Sequence, residues 1–83
     1  MNTATTTRPL YDIAADIRAD WKKVYFGAEP YLGAMFGLDS INDSYGYDSA
    51  KDVVIRFLCN ASSWRGETAK RIKKELKKMA GVK

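Results

Sequence analysis

An all-α fold follows from three observations on the 83-residue sequence. Apolar residues recur three and four positions apart over most of its length, which is the period of a helix with one buried face. The patterned segments are separated by Pro, Gly, Ser and Asp clusters of the kind that start and stop helices. No stretch alternates apolar and polar residues as a half-buried strand does. The expected architecture is a compact bundle of four helices, the second short and buried, over residues 9–83. Residues 1–8 are threonine-rich, offer nothing to bury and read as a flexible N-terminal tail.

Thr7 stands as N-cap of the first helix, with Pro9 near its first turn. Leu10, Ile13, Ala14, Ile17, Trp21, Val24 and Tyr25 form one stripe, so this helix is expected to run to Phe26-Gly27 and to end in a left-handed glycine. Pro30 opens the second helix. Tyr31, Leu32, Met35, Phe36 and Leu38 leave it few polar positions, which places it centrally. Gly33 and Gly37 weaken it by up to about 1 kcal/mol each relative to alanine and suit close approach by a neighbouring helix. Residues 39–47 are turn chemistry. Asp48 or Ser49 then caps a third helix reaching about Asn60, with Val53, Val54, Phe57, Leu58 and Ala61 buried. Ser62-Ser63 begins the last helix, whose buried side is Ala69, Ile72, Leu76 and Met79 and whose stop is Gly81.

Composition narrows the chemistry. Hydrophobic residues make up 46% and charged residues 29%, a globular balance that excludes disorder throughout. One cysteine and no histidine exclude an internal disulfide, a four-cysteine zinc site and the commonest general base. The acids are scattered over helix faces and turns, and no glycine loop cradles phosphate. The expectation is a non-enzymatic protein with no catalytic residue, cofactor or metal. Asp39, Asn42, Asp43 and Asp48 do not form a calcium loop, because the third position from Asp39 is Ile41 and from Asp43 is Tyr45. Cys59 reads as a small core or boundary residue. With no signal peptide and no apolar run near the length of a membrane span, the expected location is the cytoplasm, with no membrane partner.

Charge is divided unevenly. Residues 1–50 hold four basic and seven acidic side chains, and residues 51–83 hold ten basic and three acidic. Three surfaces emerge as candidates for binding a partner. Lys70, Lys73, Lys74 and Lys77 point away from the buried stripe of the last helix, suiting phosphates or an acidic surface if they are more than a solvated face. Asp12, Asp16 and Asp20 recur every four residues along the first helix. They either pair internally with Arg71, Lys78 and Lys23 or form an acidic stripe for docking. Tyr45 and Tyr47 flank Gly46 on a polar loop, as aromatic anchors of an interface or as cover for a thin core. Arg65, in the turn before the last helix, would lie near DNA in a helix-turn-helix arrangement, whereas Trp64 beside it packs the corner.

The stretch from Asp20 to Met79 carries three blocks. They are Trp21–Ala28 with Pro30-Tyr31-Leu32, then Leu38–Ile41 with Tyr45–Ser49, then Asn60–Ala69. Together they resemble short proteins carried by bacterial phages, plasmids and integrative elements, over about three quarters of the chain. The likeness contains no catalytic or binding motif and transfers no functional residue. It implies a mobile-element setting, in which small non-enzymatic proteins often inhibit host defence, anti-CRISPR proteins among them. The leading expectation is a stoichiometric inhibitor acting by charge-steered occlusion of a bacterial protein or ribonucleoprotein target, such as a CRISPR effector. The alternatives are a nucleic-acid-binding protein using the lysine-rich last helix, and a self-assembling subunit that forms homo-oligomers.

Overall fold

A computed structural model describes residues 8–46 and 48–81. Four helices account for the fold: α1 (Leu10–Asp20), α2 (Glu29–Met35), α3 (Ala50–Cys59) and α4 (Glu67–Ala80). The all-α expectation holds. Among the described residues the one extended feature is a two-residue ladder between β1 (Ser44–Tyr45) and β2 (Asp48–Ser49), antiparallel, with Ser44 opposite Ser49. The ladder forms around residues for which the sequence predicts only a turn. The expected tail lies mostly in residues 1–7, outside the described residues, as does Thr7 as a cap.

The α1 helix opens at Pro9 without a side-chain cap. Its first free N–H groups are satisfied by the chain that leaves α2: Leu10 donates to the Asp39 carbonyl at 3.0 Å and Tyr11 to the Leu38 carbonyl at 3.1 Å. A helix start is thereby tied to a distant loop, using donors that would otherwise need water. Leu10, Ile13, Ala14 and Ile17 are buried as expected.

The helix stops six residues before the expected end. Trp21 already leaves helical geometry (φ −93°, ψ 88°), although its N–H still reaches the Ile17 carbonyl at 2.7 Å. The reason is tertiary. The Trp21 indole stacks on Trp64 with ring centroids 5.7 Å apart and 9° between planes, and meets the Phe57 ring edge-on at 6.1 Å. Residues 22–28 form a loop in which Tyr25, expected in the core, is exposed. Gly27 is not among the positive-φ glycines of the described chain. What requires glycine there is proximity, since a Cβ would lie 2.5 Å from Tyr25 Cε2 and 2.9 Å from Asn60 Oδ1.

The short α2 helix starts at Glu29, with Pro30 in its first turn, where a missing N–H costs nothing. Leu32, Ala34 and Met35 are buried while Pro30 and Gly33 face solvent. A Cβ on Gly33 would meet nothing within 4 Å, so this glycine does not serve close helix packing as expected. The following residues unwind through i→i−3 bonds, Phe36 to Gly33, Gly37 to Ala34 and Leu38 to Met35.

In the next segment, Asp43 Oδ2 accepts from the N–H groups of Asp39 (3.0 Å) and Ser40 (3.1 Å), which is the turn role expected of these acids. Ser49 is the N-cap of α3, its hydroxyl accepting from the Asp52 N–H at 3.1 Å. The α4 helix ends at Gly81 in the left-handed conformation (φ 73°), whose N–H returns to the Lys77 and Lys78 carbonyls. Packing contacts run from α2 to α1 and α3, and from α4 to α1 and α3. The core between them includes Phe57, Ile72, Leu76 and Trp64, and no buried side-chain polar atom among the described residues lacks a partner.

Candidate interaction surfaces

Six basic side chains lie on α4, and folding leaves five of them exposed, Arg71 and Lys78 among them, and half-buries Lys73. Lys70, Lys74 and Lys77 are exposed at i, i+4 and i+7, in line with the sequence reading, and none of them forms an ion pair among the described residues. Lys73 departs from it. Its ammonium donates to the Trp64 carbonyl at 2.6 Å and lies 5.8 Å from the centroid of the Trp64 ring. Burial, and then the nearby charges of Lys77 and Arg65, hold its pKa below the usual lysine value. Lys73 ties the turn before α4 to the helix. The long side chain reaches back over the preceding turn, which a projection of the helix alone does not capture.

Arg65 is exposed beside Gly66, at the rim of a groove lined by Trp64, Glu67, Ala69, Lys70 and Lys73. Trp64 itself is 2% exposed and packs the corner as expected, stacked on Trp21 and edge-on to Phe57. The cation over its ring is Lys73.

The acidic ridge of α1 is largely consumed inside the molecule, by partners other than those expected. Arg8 pairs with Asp16 and, through Nε and a terminal nitrogen, with both carboxylate oxygens of Glu75 on α4 at 3.1 and 2.9 Å. The chain just before α1 thus clasps α1 to α4. These bonds, first to Glu75 and then to Asp16, raise the Arg8 pKa further above its ordinary value. Asp20 accepts from the Trp64 Nε1–H at 2.8 Å. Asp12 remains exposed. Arg71 and Thr68 face Asp16 and Asp20 across a shallow groove, without an Arg71 ion pair. Arg8, expected in the tail, was not anticipated as a partner because nothing local in the sequence links it to Glu75, 67 residues away.

For the loop aromatics, Tyr47 lies outside the described residues, and Tyr45 is described only in its backbone, as part of β1. The aromatics that do reach solvent are elsewhere. Phe26 is 79% exposed and Tyr25 45%, their rings 4.8 Å apart at 54°. Phe36 is 43% exposed, with the Arg18 guanidinium 6.0 Å from its ring centroid. Arg18 also holds Glu29 at 2.8 and 3.0 Å, linking α1 to α2, and keeps that carboxyl below the usual range. The signal for Phe26 was present in the sequence as an aromatic pair beside Gly27, but a continued helix there hid it. Cys59 is exposed rather than in the core.

Among the described residues no group of His, Cys, Asp and Glu is placed to hold a metal ion, and no helix is long and apolar enough to cross a membrane. No protein-family model, curated protein or solved structure matches the chain.

Proposed function

We propose that the protein is a small, non-catalytic, cytoplasmic binding protein that docks on the phosphate backbone of nucleic acid through α4. We take its architecture to be a four-helix bundle with α2 as a short inner wall. One observation carries the reading. Asp16, Asp20 and Glu75 are engaged internally, while Lys70, Lys74 and Lys77 stay exposed along one edge of α4 without an ion-pair partner. The net charge of +4 is therefore displayed mainly by α4. The exposed positions of α4 are dominated by lysine, a point charge on a flexible stem that suits phosphate contact.

The test is fluorescence anisotropy of labelled duplex DNA, single-stranded DNA and RNA at 50 and 200 mM salt. Binding is expected to weaken steeply with salt. Replacing Lys70, Lys74 and Lys77 by alanine should make the log–log salt slope shallower by about 2 to 3. Absence of binding to all three at 50 mM salt refutes the reading.

A second reading rests on Phe36 beneath Arg18, an aromatic–arginine pair of the kind that anchors protein interfaces. It is the stoichiometric inhibitor of a bacterial defence complex, of anti-CRISPR type, that the mobile-element resemblance implies. Titration into a purified CRISPR effector should then abolish cleavage at one equivalent, and Phe36→Ala should restore it.

A further inference from the structure

The stacking of Trp21 on Trp64 does more than close the core, because each indole is followed directly by a cation. Lys22 follows Trp21, Arg65 follows Trp64, and both are exposed. The stack therefore gathers two surface loops, residues 22–28 and 60–66, at one corner. A second contact fixes the same juxtaposition, since Gly27 lies so close to Asn60 that a Cβ would sit 2.9 Å from Asn60 Oδ1. The first loop exposes Lys22, Lys23, Tyr25 and Phe26, and the second exposes Arg65, beside the groove that Lys70 also lines. The acids at this corner are Asp20, which is engaged by the Trp64 Nε1–H, and Glu67.

A phenyl ring 79% exposed on a small protein leaves most of its apolar surface in water. Here it is tilted against a second exposed ring, with Lys22 and Lys23 exposed in the same loop and Arg65 and Lys70 on the groove beside the neighbouring loop. Duplex backbone needs the cations and has no use for the rings, because its bases are already stacked. A protein partner could seat the rings only in an apolar pocket, which sits poorly beside the acids that these cations would need. Unpaired bases need both, a flat apolar surface for the base and a cation for the phosphate beside it. We propose that this corner binds single-stranded nucleic acid, with bases stacking on Phe26 and Tyr25 and phosphates held by Lys22, Lys23, Arg65 and Lys70. The proposal rests on the nucleic-acid reading above and narrows it to one form of ligand.

The experiment titrates the full chain into a labelled oligothymidine and into a hairpin duplex of matched length, at 50 mM salt. The wild type is expected to favour the single strand by about tenfold. Phe26→Ala should weaken single-strand binding by about tenfold, the scale of one lost base–aromatic stack, and change duplex binding less than about twofold. Phe26→Trp should retain the single-strand affinity. Because the ring is mostly exposed, Phe26→Ala should keep the wild-type far-UV circular dichroism, which confirms that folding is intact. Equal or tighter duplex binding overturns the proposal while leaving the α4 reading standing, and so does an unchanged single-strand affinity in Phe26→Ala. No binding of either oligonucleotide overturns both.

Discussion

Changing Trp64 to Phe and Asp20 to Ala, singly and together, measures the joint where α1 meets the turn before α4. Phenylalanine retains a ring to stack on Trp21 and to meet the Phe57 edge, but it loses the Nε1–H that donates to Asp20 at 2.8 Å. Because Trp64 is 2% exposed, the missing ring volume persists as a cavity. Trimming a buried side chain by a few atoms costs about 1–3 kcal/mol. The hydrogen bond adds about 1 kcal/mol rather than the larger value of a buried charged bond, because Asp20 is exposed and water can replace the indole as its donor. Asp20→Ala loses the same bond but removes a negative charge from the last turn of α1, where the helix dipole disfavours it by about 0.3–1 kcal/mol. The double variant should therefore be less destabilised than the sum of the singles by about 1 kcal/mol, a factor of about 5 in the folding equilibrium. A stability of about 4–12 kcal/mol for a chain of this size keeps all three variants measurable by urea denaturation followed by far-UV circular dichroism. Additivity within about 0.3 kcal/mol would refute the bond and release Asp20 as a candidate docking residue.

Arg8→Ala removes the clasp between α1 and α4. The side chains of Arg8, Asp16 and Glu75 are 33%, 47% and 30% exposed, so screening limits the effect. A loss of about 1 kcal/mol, or about 4–8 °C in Tm, is expected at low salt and less at high salt; an unchanged melt shows the clasp to be idle. Ser49→Ala deletes the α3 cap and should lower stability by about 1 kcal/mol, read from the urea midpoint, with Ser49→Asp retaining most of it. Lys73 gives a pH signature. Its folded pKa lies below the ordinary 10.5, so between the two values the unfolded chain binds more protons and stability rises with pH. The penalty is fully present below that window and disappears above 10.5, and Lys73→Met should flatten the rise in urea-denaturation stability.

The sequence disclosed what depends on nearest neighbours. The start of α3 was legible because Ser49 bonds the Asp52 N–H three residues on, and the end of α4 because Gly81 takes a conformation that other residues avoid. Most of the buried stripes of both helices followed from spacing, with Leu58 and Met79 only half-buried and Ala50 and Ala80 buried beyond it. What escaped depends on residues far apart in the chain. The apolar period continues through Val24 and Tyr25, yet α1 ends at Asp20 because Trp64, 43 positions beyond Trp21, captures the indole. Lys73 looked outward by rotation about the helix, but a carbonyl in the preceding turn holds it. Arg8 looked loose because its acceptors are on α1 and α4. For the interaction surface, the exposed trio of lysines was readable, whereas the aromatic corner depended on knowing where α1 stops.

The stacked indoles also determine what an optical experiment on this protein reports. Trp21 and Trp64 are the chain's two tryptophans, and they lie nearly parallel, 5.7 Å apart. Their transitions couple, so they act as one chromophore located at one joint rather than as two independent probes. Tryptophan emission during unfolding therefore follows the separation of α1 from the turn before α4. It carries little signal from α2 or from the ladder beside α3. Helical circular dichroism averages over all four helices, so any gap between the two melting curves would separate the opening of that joint from the unfolding of the rest.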